Sequence, residues 1–449
     1  MPIAKFESML KTNSVYFFDA NEFEEIIDFY IETGKHNLAN KALKLGLEQH
    51  PMSSVLLILK AELYIFEDRL EEAFKLLKRL ESIEPFNDEV YIQQADIYSK
   101  KHQHRQAVEM LNKALDCTDN PADVWLLLGM EYIFLNNFSV ARTYFELTIK
   151  ESPDDFSALF NVVYCFDMEQ KPYEAIAFLN KLIDEHPYSE VAWHQLGRQY
   201  YGIGEFEEAL RAFDYASLID DEFVGAFVEK AKTLEKLDRP AEAIENYLIS
   251  LELDDATAFV CYRVARCYEK LEKFEYALQY YAKATVEDPL LEKGWYSLAR
   301  LYYKLEDFEK AYYYCQTLLK LEQENFAYWN LYAVLSLKHK MYEEAIEGYK
   351  NCIRLDANHL EIWLAVVDCL IFIGEHDQAT SYTEEAMKSH MNRVELSYRL
   401  GALYFLYGNK DLGLGILEHS KRIDPSYEAQ IKCVFPELFV QKSLEASIG

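Results

Sequence analysis

One side-chain size, repeated at a fixed step, restricts this chain more than anything else in it. Alanine stands at 39, 73, 107, 141, 175, 209, 243, 277, 311, 345 and 379, each 34 residues after the last, and Gly413 continues the series without an insertion or deletion. Composition cannot place twelve small residues in one phase, and 34 residues is the length of a helix pair. A length of 449 residues alone suggests two or three globular domains. The repetition replaces that expectation with a stack of like units that grows as one array.

The same phase carries bulk where the small residue needs a partner. Sixteen positions earlier stand Phe23, Leu57, Tyr91, Trp125, Leu159, Trp193, Phe227, Cys261, Trp295, Trp329 and Trp363, so all five tryptophans fall on one place. Nine positions earlier the residues run from Tyr30, Tyr64, Tyr98 and Tyr132 to Tyr404, nearly all aromatic or leucine. Bulky knobs facing small holes let helices interlock. Six of the eleven prolines (Pro51, Pro85, Pro153, Pro187, Pro289 and Pro425) lie twelve positions after the small residue, where they stop the second helix. Asp119, Asp221 and Asp255 take that place elsewhere, and are expected to cap the helix that follows. Each unit reads as helix, turn, helix, turn.

Trp193, Leu196, Gly197, Tyr200, Ala209, Phe213 and Ala216 resemble the signature of the tetratricopeptide repeat family. The resemblance covers residues 20–427 as twelve repeats beginning at 20, 54, 88, 122, 156, 190, 224, 258, 292, 326, 360 and 394. It implies an all-α fold, a right-handed superhelical α-solenoid of helix-turn-helix units. Departures are modest: Val163 and Val367 replace the usual Gly or Ala of the first helix, which predicts slightly wider packing there, and Ser397 replaces the aromatic residue of the last repeat. Residues 1–19, with Phe6, Met9 and Leu10 on one stripe, are expected to cap one end. Residues 428–449, with Ile431, Val434 and Leu438 on another and Pro436 as a break, are expected to form a capping helix and tail.

The resemblance further implies that the second, fifth, ninth, twelfth and thirteenth places of each repeat face a ligand in a concave groove. In repeats six to ten those places hold nine cations: Arg198, Lys232, Lys236, Arg266, Lys270, Lys293, Arg300, Lys304 and Lys338. Residues 190–359 contain 20 bases, of which chance would put about three on these places, and of 31 acids only Glu235 and Glu269 fall there. Lys232 with Lys236, Arg266 with Lys270, and Arg300 with Lys304 are like charges four apart on one helix, each costing roughly 0.2–0.5 kcal/mol. Tyr262, Tyr296 and His194 offer flat surfaces beside them, and Asn330 can bond a peptide backbone. The pattern points to an acidic or carboxylate-bearing segment. The competing reading is simple neutralisation of nearby acids, Lys270 against Glu269 and Lys236 against the neighbours of Glu235.

The groove changes character along the chain. Repeats one to three present Glu24, Asp28, Glu32, Glu62, Glu89 and Asp96, and repeats four and five present Leu126, Met130, Ile133, Phe134, Phe160, Tyr164 and Met168. In repeats eleven and twelve, Leu364, Ile371, Phe372, Tyr398, Phe405 and Leu406 are expected to pack against the C-terminal cap.

A net charge of −30, with acids in excess in every fifty-residue block, repels nucleic acid and anionic lipid. Other proteins or peptides are the expected partners, with no nucleic acid, no membrane insertion and no cofactor. No phosphate loop, nucleophile elbow or zinc-protease motif is present, so no enzyme is expected. His102 and His104 lack a third ligand nearby and read as turn residues. The eight cysteines show no metal spacing and read as buried apolar residues of a reducing, cytoplasmic setting. The expected function is an interaction scaffold; head-to-tail self-assembly into a homo-oligomer, acidic repeats against basic ones, is the second expectation.

Overall fold

The computed structural model of the protein describes residues 2–12, 16–153, 155–254 and 257–438. Asp255 and residues 439–449 of the expected tail lie outside them. Among the described residues there is no strand. A short helix α1 (Pro2–Thr12) precedes twelve helical hairpins: α2 (Ala20–Glu32) with α3 (His36–Gln49), α4 (Ser54–Phe66) with α5 (Leu70–Ile83), α6 (Asp88–Lys100) with α7 (His104–Leu115), α8 (Pro121–Phe134) with α9 (Phe138–Glu151), α10 (Phe156–Met168) with α11 (Pro172–Glu185), α12 (Glu190–Ile203) with α13 (Phe206–Ile219), α14 (Val224–Lys236) with α15 (Pro240–Leu253), α16 (Ala258–Lys270) with α17 (Phe274–Glu287), α18 (Glu292–Lys304) with α19 (Phe308–Leu321), α20 (Phe326–Lys338) with α21 (Tyr342–Leu355), α22 (Leu360–Ile373) with α23 (His376–Ser389), and α24 (Val394–Tyr407) with α25 (Lys410–Ile423). A 3₁₀ turn (Pro425–Tyr427) leads to α26 (Glu428–Val434). The chain forms two compact bodies, Met1–Ala226 and Phe227–Gly449.

Every alanine of the 34-residue series is buried, at the point where the second helix meets the first. At Gly413 the approach is too close even for alanine: a Cβ there would lie 2.3 Å from the backbone nitrogen of Phe405. A second small place, on the first helix, is matched in volume across the hairpin. Glycine faces phenylalanine at Gly129/Phe145 and Gly197/Phe213, where an added methyl would sit 2.4 and 2.6 Å from the ring. The corresponding places pair Ala61 with Leu77, Ala95 with Leu111 and Val367 with Thr383, all buried. The helices of the α10–α11 hairpin, which carries Val163, approach each other less closely than those of the α8–α9 and α12–α13 hairpins on either side.

Two periodic devices join the helices. In eleven of the twelve hairpins the turn passes through a left-handed residue: Gly34, Asp68, His102, Asn136, Gln170, Gly204, Asp238, Glu272, Glu306, Lys340 and Gly374, all at positive φ, whereas Gly408 in the last hairpin has φ −135°. Between hairpins an aromatic donor bonds the carbonyl six residues back, from Tyr91 to Pro85, Trp193 to Pro187, Trp295 to Pro289, Trp329 to Gln323 and Trp363 to Ala357, at 2.7–3.0 Å. First helices are capped by Ser53, Asn87, Asp155, Ser189, Thr257 and Asn325, whose side chains accept from backbone N–H groups. Asp119 is not such a cap: α8 starts one residue early, at Pro121, and Asn120 holds the N-cap place.

Helix α1 lies on α2 through Phe6 and Met9, with the Phe6 ring 6.1 Å from those of Phe18 and Tyr30, whereas Leu10 faces solvent. At the other end Ile431 and Leu438 are buried, joined by Phe435, and α26 stops at Val434 ahead of Pro436. Arg399, 5% exposed, ties this region together by a two-pronged bond to Asp368 (2.6 and 2.7 Å) and a bond to the Tyr427 hydroxyl. Six cysteines are buried; Cys117 is half-buried and Cys433 exposed, so the reading of all eight as buried packing residues fails at these two.

Matched volumes predict that Gly197→Ala lowers the chemical-denaturation midpoint, at a cost of about 1–3 kcal/mol. Adding Phe213→Leu, which recreates the alanine–leucine pairing of other hairpins, should make the double variant more stable than Gly197→Ala alone. The left-handed turns predict a second outcome. A non-glycine residue there costs about 1–2 kcal/mol and glycine in the unfolded chain about 0.5–1 kcal/mol, so Glu272→Gly should raise the thermal midpoint and Glu272→Ala should not.

Candidate functional site

Places five, nine and thirteen of a first helix are four residues apart and share one face. In the second body this face gathers Tyr262, Arg266, Lys270, Arg300 and Lys304 around an open cavity of about 440 Å³. Glu235, Glu269, Cys267, Tyr281 and Ser297 complete most of its wall. Arg198 lies in the first body on α12, its guanidinium 3.4 Å from the Gln195 side-chain oxygen. Lys232, Lys236, Lys293, Tyr296, Asn330 and Lys338 belong to the second body but do not line the cavity.

The cavity's charge is organised by its two carboxylates. Glu235 accepts from the Tyr247 hydroxyl and from Arg263 Nε, both at 2.7 Å. One repeat later Glu269 accepts from the Tyr281 hydroxyl at 2.8 Å. The period then breaks, because the place of Arg263 is taken by Ser297, and Arg300 reaches back to Glu269 Oε1 at 2.6 Å instead. Arg266 holds the same place in its repeat as Arg300. Its equivalent acceptor, Glu235, is already engaged, so Arg266 is exposed and has no carboxylate partner among the described residues. Burial, reinforced by the adjacent carboxylates, holds the Tyr247 and Tyr281 hydroxyls far above their ordinary pKa, which keeps both as donors. Burial also pushes the Cys267 thiol up to about 12, so it stays protonated.

Neutralisation accounts for part of the basic face. Lys270 pairs with Asp238 rather than with Glu269, Lys232 pairs with Glu229 at 2.8 Å, and Arg300 pairs with Glu269. Lys236 and Lys293 are exposed and make no ion pair among the described residues. Lys304 and Lys338 use a different support, lying 4.6 Å over the Phe274 ring and 5.4 Å over the Phe308 ring. The thirteenth place thus rests on the residue that opens the second helix of the preceding hairpin, and Phe66 on His36, Phe134 on His104 and Phe372 on Tyr342 stack by the same rule. Tyr262 leans on Tyr281 and Tyr296 on Tyr328, with ring centres 5.6 and 5.1 Å apart. His194 is not a groove platform. It is buried between the rings of Phe213 and Phe223.

In the first body, places nine of α2, α4 and α6 carry Asp28, Glu62 and Asp96. Burial raises the pKa of all three, and the proximity of Glu89, Asp28 and Asp96 raises that of Glu62 further. None of the three makes an ion pair among the described residues. His104 is engaged with Glu131 at 2.9 Å, and no group of three or more His, Cys, Asp or Glu among the described residues is arranged to hold a metal ion. No helix among them is long and apolar enough to cross a membrane.

Helical hairpins of constant length, with side chains of the first helices gathered on one face, define a helical-repeat interaction array. Two sequence profiles of the tetratricopeptide repeat match, one at residues 126–190 and 296–357, the other at 88–117 and 260–289. The chain belongs to the tetratricopeptide repeat family. A repeat-containing protein of Methanocaldococcus jannaschii is 23% identical over 214 residues, 44% of this chain and 38% of that protein. The anaphase-promoting complex subunit cut9 of Schizosaccharomyces pombe is 24% identical over 159 residues, 35% of this chain and 23% of that protein. The matches therefore span about two-fifths or less of these relatives' length. Among solved structures, the cut9–Hcn1 assembly aligns over 86% of this chain and 90% of its own, with TM-score 0.34 and 16% identity. YrrB, described as having an unusual peptide-binding site, aligns over 41% and 95% with TM-score 0.37 and 16% identity.

The raised pKa of Glu62 yields a signed prediction. The native state binds this proton more tightly than the unfolded chain, so the group's contribution is most favourable at low pH and is lost as pH rises through the native pKa. Glu62→Gln should therefore raise the thermal midpoint at pH 7.5. The advantage should fade as pH falls through the native value toward the ordinary 4.5, and a pH series of melting curves on both proteins measures it.

Proposed function

We propose that this protein is a non-catalytic interaction scaffold whose second body holds an acidic segment of a partner protein. The observation that carries the reading is Arg266. It stands exposed in a walled cavity and without a carboxylate partner among the described residues, while Arg263 and Tyr247 occupy Glu235 Oε1, the counterpart of the Glu269 oxygen that Arg300 uses one repeat later. A guanidinium offers two parallel donors to a carboxylate, which gives geometry as well as attraction. Lys304 stands in the same wall, held over Phe274 rather than neutralised. Tyr262 supplies an amphipathic surface beside them. Lys236, Lys293 and Lys338 extend the positive face toward neighbouring repeats, so a peptide with several spaced acids gains from many weak contacts. Asn330, at the fifth place of its repeat as Tyr262 is of its own, carries a side-chain donor and acceptor for that peptide's backbone.

The test is fluorescence anisotropy with a labelled peptide rich in Asp and Glu. Arg266→Glu with Lys304→Glu should weaken binding about tenfold or more and flatten its dependence on salt. Unchanged affinity in a variant whose circular dichroism matches the parent would refute the assignment.

A further inference from the structure

A second surface, in the first body, has the opposite chemistry. On α10 the places that share one face are Phe160, Tyr164 and Met168, exposed by 44%, 44% and 48%. On α8 the same places are Leu126, Met130 and Phe134, with Phe134 54% exposed. Leu126, Met130 and Ile133 back this patch from below by packing on the buried core, and Tyr164 meets Phe138 edge-on at 6.3 Å. Large apolar side chains left half in water on two neighbouring hairpins mark a surface that gains by being covered.

The hairpins before it decide what covers it. The same face turns acidic at Asp28, Glu62 and Asp96, carboxylates whose repulsion no cation relieves by an ion pair among the described residues. The two zones are continuous: Asp96 is close enough to Glu131 to feel its charge, Glu131 bonds His104, and His104 stacks on Phe134 at 4.8 Å. Lys100 offsets part of the charge at Asp96, but acids outnumber it on this face, and an apolar patch bordered on one side by net negative charge fits a ligand with the complementary order.

We infer that the first body docks an amphipathic segment of another protein whose apolar residues cover Phe134, Phe160, Tyr164 and Met168 while adjacent lysines or arginines meet Asp28, Glu62 and Asp96. This partner differs in chemistry from the acidic segment assigned to the second body. One array then holds two segments of opposite charge at separate places. Side chains at spacings of four residues on the face suit an amphipathic helix laid across it.

The probe is a labelled synthetic helix with leucines on one face and lysines at one end, titrated against the full chain. Phe160→Gln with Met168→Gln, both at exposed places, should weaken binding about tenfold with its salt dependence intact. Asp28→Asn, Glu62→Gln and Asp96→Asn together should weaken it comparably and remove most of the salt dependence. Arg266→Glu with Lys304→Glu should leave it unchanged, which separates this surface from the one in the second body. A helix with glutamates in place of the lysines should bind no tighter to the parent than to the variant with Phe160 and Met168 replaced. Equal binding of the lysine helix to the parent and to both first-body variants overturns the inference. So does sedimentation showing that the chain alone dimerises through Phe160 and Met168, since the patch would then be covered by a second copy.

Discussion

Inside each hairpin two helices cross where one carries alanine or glycine and the other carries whatever volume the gap accepts, and the architecture rests on that fit. The series from Ala39 to Gly413 holds the crossing in phase, and the partner place adjusts in compensation: phenylalanine against Gly129 and Gly197, threonine across from Val367. Interiors packed at crystal-like density leave little slack, so a hairpin that changes one partner must change the other. Because each hairpin contacts mainly its neighbours, the array keeps its form by repetition of a local rule rather than through one central core.

Where the rule is obeyed strictly, side chains are structural; where it is broken, they become available. Tyr247 and Tyr281 serve Glu235 and Glu269 identically. The exchange of Arg263 for Ser297 one repeat later redirects Arg300 into the second network and leaves Arg266 outside the first. A cation released in this way is already paid for by the scaffold and needs no new element to present it. The first body uses the same logic with other side chains, as aromatic residues and methionine on α8 and α10 fill places that carry carboxylates on α2, α4 and α6.

Much of this was readable from residues alone, because the signal is one of spacing. The phase of the small residues located the hairpins, and the run of bases on one face located Tyr262, Arg266, Lys270, Arg300 and Lys304, which share a wall. Two things escaped. The left-handed turn was hidden by its variety, since Asp, His, Asn, Gln, Glu and Lys all occupy it alongside glycine; regularity of place without regularity of type leaves no compositional mark. The partners of individual charges were hidden too. Lys270 chooses Asp238 over Glu269, and His194 turns inward between two phenylalanines. Both outcomes depend on which neighbour lies within a few ångströms. The twelve-residue interval from Glu235 to Tyr247, repeated from Glu269 to Tyr281, was the available clue.

The aromatic donors that reach back six residues give the array uneven joints. Trp295, Trp329 and Trp363 each fasten the linker before their own repeat, while Leu57 and Leu159 stand at the same place with no donor to offer. Fastened linkers resist bending because motion must break a directed bond; the others yield by sliding of apolar side chains alone. Compliance is therefore written into the chain joint by joint. The stretch led by three successive tryptophans behaves as a stiff splint, and the softer seam at Leu57 is where tension on a captured polypeptide would first be absorbed.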